Sequence, residues 1–481
     1  MDPFALSRRT FLRQSGLGLG SAALGSLMAR DAMASVATPT AATESPGLPG
    51  LAGLPHIAPK AKRVIFLCMA GGPSHLESFD NKPALAEISG KPMPESVTAG
   101  QPIAQLQGKE LLAQGAMTKF NRYGESGLEV SDFFPHIAKL SDDICVVKSM
   151  VTEQINHDPA HTFMNTGTAL SGRPSMGSWV TYGLGSECDN LPGFVVLTSQ
   201  SGRSPQPIAS RQWSAGFLPG RYQGVPFNSQ GDVVHYVGNP PGVTDASQRE
   251  LIDTIKQLDA HHNQRVANPA VDARIAAYEM AFQMQSSVPE LADVSDEPQH
   301  VLDRYGAKPG DGSFASNCLL ARRLAERGVR FVHLYHLGWD HHGDLKKHMT
   351  TSAMSTDQAS WALVEDLRER GLLDDTLVIW GGEFGRTPMI QGSAETAGRD
   401  HHIKGFSMWM AGGGIRPGMT FGETDEFGYH AVENPVHVRD LHATMLHLLG
   451  IQHDRFTVKH QGLDLKLTGV EPAKVVKDVI A

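Results

Sequence analysis

Four short polar clusters in the 481-residue chain have residue types that can do chemistry. They are Gly71-Gly72-Pro73-Ser74-His75, Gly338-Trp339-Asp340-His341-His342, Gly381-Gly382-Glu383-Phe384-Gly385-Arg386 and Arg399-Asp400-His401-His402. Asp340 and His342 stand two apart, which points both side chains the same way in an extended segment. A carboxylate beside an imidazole is a workable ligand pair for zinc, manganese or iron. Asp400 and His401 form another such pair, and Glu383 adds a carboxylate. His157 and His161 stand four apart and share a face if that segment is helical. Asp158 occupies the place of the glutamate in H-E-x-x-H, so that protease motif is excluded. Each cluster also has a plainer reading. Asp400 can cap a turn, Arg386 can pair with Glu383, Ser74 can be a turn serine, and one histidine of each doublet can be structural. His437, His442 and His447 mix helix faces and read as structural.

The elements that must position these clusters are legible as apolar runs. Residues 64–69 form a continuous apolar run ending at Gly71-Gly72, the signature of a strand buried on both faces. Further strands are expected at 144–147, 193–197, 330–337, 376–380 and 406–410. Helices are expected at 133–140, 157–166 with Gly167 as the stop, 357–372 and 436–449. Residues 81–130 and the Ser/Gly/Pro-rich excursion 199–245 carry no clear period, and 247–327 reads as a mostly helical insertion. Alternating strands and helices imply an α/β fold, a three-layer α/β/α sandwich with a largely parallel central sheet. Ligands bind beyond the carboxyl ends of such strands, and the four clusters fall there.

Composition narrows the function classes. The formal net charge of −9 and the absence of a basic run argue against a nucleic-acid partner. Cys68, Cys145, Cys188 and Cys318 are too few for a disulfide-built scaffold and read as buried thiols, with pairing left open. No G-x-S-x-G elbow, P-loop or C-x-x-C is present. Ser7-Arg8-Arg9-Thr10-Phe11-Leu12 and Ala32-Met33-Ala34 read as a twin-arginine signal and its cleavage site. The expected organisation is therefore signal 1–34, flexible linker 35–60 and one large domain 61–472. The protein would be periplasmic or secreted, without a transmembrane anchor after cleavage.

With these pieces in view, the chain resembles the alkaline phosphatase/sulfatase superfamily, and within it the exported bacterial family known as domain of unknown function 1501. The resemblance rests on the four clusters, on Thr387-Pro388 after Arg386, on Phe421-Gly422-Glu423-Thr424-Asp425-Glu426, and on the tail 438–450. That tail is similar to the last helix of sulfatases. The departures matter. Sulfatases end the first strand with a metal-binding Asp pair, where Gly71-Gly72 stand here. Their Cys or Ser nucleophile falls at His157, about ten residues before Thr166-Gly167. Their late Asp-His pair is Glu383-Phe384 here.

The resemblance implies a metal-dependent hydrolase of phosphate or sulfate esters, with a small-molecule or glycan substrate. Metal-activated water would replace the usual nucleophile, because a bound ion brings the pKa of water to about 7. Asp340, His342 and His401 would hold one divalent ion (zinc, manganese or calcium). Glu383, Asp400, His157 and His75 would complete it or hold a second. Arg386 would clamp the tetrahedral anion, Lys404 would add a point charge, and Ser74 is the alternative nucleophile. The rival reading is a non-catalytic exported protein that binds a glycan or a partner on the same fold.

Overall fold

The computed structural model describes residues 48–481, apart from 203–205, 229, 235–237, 240–241, 267–268 and 309. The expected signal 1–34 and the linker up to residue 47 lie outside the described residues. Residues 48–60, expected as linker, instead lie against the domain. Leu51 N–H donates to Gly183 O, and His56 and Ile57 N–H donate to Gly450 O.

Among the described residues, nine strands form one sheet. In chain order they are β1 (Arg63–Ala70), β2 (Ile144–Val151), β3 (Phe194–Gln200), β4 (Val225–Phe227), β5 (Phe331–Leu337), β6 (Thr376–Gly381), β7 (Phe406–Ala411), β8 (Met419–Phe421) and β9 (Val436–His437). Their spatial order is β8-β2-β7-β6-β1-β5-β3-β4, with β9 also on β2. Every pair is parallel except those of β7, which runs antiparallel to both β6 and β2. The reversal of β7 has a functional consequence. Its amino end lies at the same sheet edge as the carboxyl ends of its neighbours, so the loop before it joins the loops after β1, β5 and β6.

The helices of seven or more residues are α1 (His157–Thr166), α2 (Met176–Leu184), α3 (Asp245–Val266), α4 (Pro269–Ala292), α5 (Gln299–Tyr305), α6 (Phe314–Glu326), α7 (Leu345–Glu369) and α8 (Val438–Leu448). All eight residues of β1 are buried, and they alternate between two cores. Ile65, Leu67 and Met69 pack with Leu319 and Leu324 of α6 and Leu363 and Leu367 of α7. Val64, Phe66 and Cys68 pack with Trp179 of α2 and Leu441 and Met445 of α8. This is why a central strand shows no polar alternation: each face buries its side chains at about 1.5–3 kcal/mol apiece. The four cysteines are free and buried.

Two expected elements differ. The helix expected at 133–140 is only a 3-10 turn, Ile137–Leu140, because Pro135 disfavours helix before it. α7 begins at Leu345, twelve residues before the expected start. Its first turns bury Leu345, Met349, Ser352, Ala353 and Thr356, a helical stripe hidden in sequence by its small and hydroxyl residues. In the expected insertion 247–327, α6 belongs to the sandwich core rather than to an appendage.

Candidate metal centre

Four loops and one helix meet at the carboxyl edge of the sheet. The exit of β5 carries Asp340 and His342. The exit of β6 carries Glu383 and Arg386, and the segment before β7 carries His401. A two-residue antiparallel ladder pairs His401 with Arg386 and His402 with Gly385, locking these two segments together. α1, entered soon after β2, carries His157 as its first residue and His161 one turn on. Gly167 at φ 72° ends that helix as the sequence implies.

His157, Asp340, His342 and His401 converge, with one ligand atom of each within 4.8 Å of the others. Asp340 Oδ1 lies 3.1 Å from His157 Nε2, 2.8 Å from His342 Nε2 and 3.3 Å from His401 Nε2. The Nε2 atoms of His342 and His401 are 2.9 Å apart. Ligands 2.0–2.1 Å from a tetrahedral ion would be separated by roughly 3.3 Å. The outward nitrogen of each ring is spoken for. His157 Nδ1 meets Glu383 Oε1 at 2.6 Å, His342 Nδ1 meets Gln391 Oε1 at 2.6 Å, and His401 Nδ1 meets the Ile155 carbonyl at 2.8 Å. Each acceptor places the ring proton on Nδ1 and leaves the Nε2 lone pair facing inward. The inward lone pairs of His157 and His401 and a carboxylate oxygen repel one another unless a cation sits among them, while His342 Nε2 also has Gln105 Nε2 at 3.1 Å. His157 Nε2 is buried without a hydrogen-bond partner. The donor set therefore fits a divalent metal.

Asp340 is held in place by Arg386, whose Nη2 lies 2.6 Å from Oδ1. Burial acts to raise the Asp340 carboxyl, but the three histidines and the guanidinium outweigh it and hold it far below the usual carboxylate range. For His157, burial pulls the imidazole down while Asp340 and Glu383 pull harder upward. His401 is held below its ordinary value by burial, against the upward pull of Asp340.

Beneath this group lies a second, overlapping one of His157, His161 and Glu383. His161 Nε2 is 3.3 Å from Glu383 Oε1, and both side chains are fully buried. Both carboxylate oxygens of Glu383 also accept from Gly71 N–H, at 3.1 and 3.2 Å. Burial would raise the Glu383 carboxyl, but His161 and His157 hold it down at about 2. Gly71, at φ 124°, is required here: a Cβ would stand 2.4 Å from Asp340 N and 2.6 Å from the Trp339 carbonyl carbon. No side-chain ligand fits at this strand exit, and the Gly71 backbone N–H holds Glu383 instead.

Other expected site residues lie outside the four-residue group. Ser74 Oγ donates to Glu77, and Glu77 in turn forms a fully buried bidentate pair with Arg399 at 2.7 and 2.9 Å. His75 opens a short 3-10 turn that carries its ring away, and its Nε2 meets the Gly428 carbonyl at 2.9 Å. Asp400 is neither ligand nor simple cap. Its Oδ2 accepts from Gln105 and Leu106 N–H at 2.6 and 2.8 Å, and its Oδ1 accepts from His401 N–H at 2.9 Å. Arg386 pairs with Asp340 rather than Glu383, and its other donors reach the carbonyls of Gly71, Gly72 and Arg399. It is fully buried and committed, so no fork remains to clamp an anion. Lys404 is half-buried and does not line the cavity at the site. Of the doublet partners, His341 meets the Gly338 carbonyl at 3.0 Å and His402 meets the Tyr429 carbonyl at 2.5 Å.

Two further residues at the site, Gln105 and Gln391, belong to no motif in the sequence. Gln391 Nε2 donates to Gln105 Oε1 at 2.9 Å, and Gln105 Nε2 lies 3.1 Å from His342 Nε2. Only the folded chain reveals them. Asp340 and His342 open on a cavity of about 430 Å³, which Gly338, His348, Thr351 and Ser352 also line.

Residues 61–480 match the family described as Protein of unknown function (DUF1501). The chain belongs to that family. No curated protein matches it. Solved structures to which this family member is similar include a lipoteichoic acid synthase from Listeria monocytogenes, at 11% identity over 88% of this chain and 78% of that one, TM-score 0.34. Another is the TAB5 alkaline phosphatase, a mutant with magnesium bound, at 11% identity over 81% and 98%, TM-score 0.33. A third is the PsFucS1 sulfatase from Pseudoalteromonas sp., at 13% identity over 82% and 68%, TM-score 0.32. Among the described residues, no helix is long and apolar enough to cross a membrane.

Proposed function

We propose that this chain is an exported, metal-dependent hydrolase of phosphate or sulfate esters, acting on a hydroxylated substrate such as a glycan. The observation that carries the reading is the orientation of three imidazoles. Each Nδ1 is anchored to an outward acceptor and each Nε2 faces Asp340 Oδ1, and Asp340 and His342 open on a cavity. Three imidazoles and one carboxylate favour zinc, manganese or iron over calcium, which takes oxygen ligands. When bound, such an ion supplies Lewis acidity toward an ester oxygen and acidifies water. The twin-arginine pattern in residues 1–34 supports export.

The chain's own residues do the rest. Arg386 fixes the Asp340 carboxylate and offsets its charge. Glu383, Gln391 and the Ile155 carbonyl set the tautomers of the three histidines. His348, Thr351 and Ser352 line the cavity with hydrogen-bonding groups suited to a hydroxylated leaving group. Ser74 takes no nucleophilic role, because it faces Glu77.

One observation favours the rival reading of a binding protein. Four protein ligands complete a tetrahedral centre, whereas catalytic zinc sites usually keep one position open. A panel of aryl phosphates and sulfates separates the two. Turnover that a chelator abolishes and added zinc or manganese restores supports the hydrolase. Absence of turnover on every ester, with metal retained, supports the binding protein.

A further inference from the structure

A second cavity, of about 190 Å³, opens at the far end of α1. His157 begins that helix in the metal centre, while Thr166 and Gly167, at its other end, line the cavity. Ten helical residues span about 15 Å, so the two sites are separate. Arg439, on the first turn of α8, lines the cavity and is nine-tenths buried, at 9% exposure. Its Nη1 is held by Glu153, and its guanidinium lies 4.8 Å from the Phe163 ring centroid. Its Nε is buried with no partner. A buried guanidinium N–H left unmet costs free energy, and an acceptor in the cavity would recover it once the Arg439 side chain turns toward it. Gly469 lies beside it: a Cβ there would be 3.6 Å from Arg439 Nε, and the glycine leaves that space open.

The rest of the lining specifies the ligand. Arg173 and Lys466 line the same cavity with Asp464, and neither cation has a carboxylate partner among the described residues. Arg173 lies over the ring of Phe217 at 5.9 Å, and Phe217 meets Trp179 edge-on at 5.9 Å. With Glu153 already facing Arg439, the three cations stand against two carboxylates, and the remaining positive charge calls for an anion. An aromatic wall calls for a ring with an apolar face. The volume holds about six waters, the scale of one sugar ring. Phe217 is stacked on His460 at 4.7 Å, so it offers the cavity an edge, beside Leu170, rather than a free face. We infer that this cavity binds one acidic sugar unit, with its carboxylate or ester on the Arg439 side and its apolar face against Phe217 and Leu170. It is a recognition site distinct from the metal centre.

The test is calorimetric titration of the full chain with a glucuronate-containing disaccharide, its neutral counterpart and sodium sulfate. The acidic disaccharide should bind at least about tenfold more tightly than either control. Arg173→Ser and Arg439→Gln should each weaken it about tenfold. Asp340→Ala should leave it unchanged, whether or not the metal centre hydrolyses esters. If Arg439→Gln fails to fold, Arg173→Ser and Lys466→Ser carry the test from the cavity rim. Equal binding of sulfate overturns the sugar assignment. No binding, indifference to the cavity variants, or loss on Asp340→Ala overturns the site.

Discussion

His157 Nε2 lies 3.1 Å from Asp340 Oδ1, yet it has no hydrogen-bond partner. The ring's proton belongs on Nδ1, which meets Glu383 at 2.6 Å. A lone pair and a carboxylate oxygen are thus brought face to face, an arrangement that a shared cation makes favourable. The same logic holds for His342 and His401, whose outward nitrogens meet Gln391 and the Ile155 carbonyl.

If these outward bonds set the ligands, loosening one should cost metal affinity without unfolding the chain. Gln391→Leu removes the acceptor for His342 Nδ1 at a buried position and puts an apolar side chain of similar size there. A loss of about 10–100-fold in metal affinity is expected, with little change in Tm. Competition against a chromogenic chelator measures it, and an unchanged affinity would show that Gln391 is a bystander.

Ser74, Glu77 and Arg399 form a chain with a structural role. The Glu77–Arg399 pair is fully buried, so Glu77→Gln leaves a guanidinium without its counter-charge and should cost about 3–5 kcal/mol in urea unfolding. Ser74→Ala removes only the outer donor and should keep most of the ester turnover. Loss of all turnover in a well-folded Ser74→Ala protein would reinstate the serine as nucleophile.

Buried neutral histidines away from the centre make the fold acid-sensitive. Burial lowers His333 and His336 to about 3 and His442 to about 4. Below the ordinary value of about 6.5 the unfolded chain therefore binds more protons than the folded one. The stabilisation is complete above that value and is lost as pH falls toward the folded values, at about 1.4 kcal/mol per pH unit for each residue. Tm should drop steadily from pH 7 to pH 4.5. His333, stacked between Phe66 and Tyr335 with neither nitrogen partnered, should contribute, so His333→Phe should flatten the slope. An unchanged slope would remove it from the account.

Much of the sheet was legible because its central strands are buried on both faces and read as unbroken apolar runs, such as 64–69 before Gly71-Gly72. Asp340 and His342 were legible from their spacing at a strand exit, and His157 and His161 from theirs on a helix. The direction of β7 was not, since a buried run looks the same either way, although that reversal brings His401 to the edge. Nor was the division of labour among polar neighbours. Asp400 and His401 are equally ligand-like in sequence, but Asp400 is drawn off by the backbone of Gln105 and Leu106. Arg386 reads as an anion clamp until the carbonyls of Gly71 and Gly72 are seen to occupy it.

The central claim is that His157, Asp340, His342 and His401 hold a metal. Elemental analysis of the full chain, purified without a histidine tag, tests it most directly when paired with the Asp340→Ala/His342→Ala double variant. The wild type should carry zinc, manganese or iron in stoichiometric amount, and the folded double variant should carry none. A metal-free wild type that is fully folded and turns over esters, or a double variant that keeps its metal, would contradict the account.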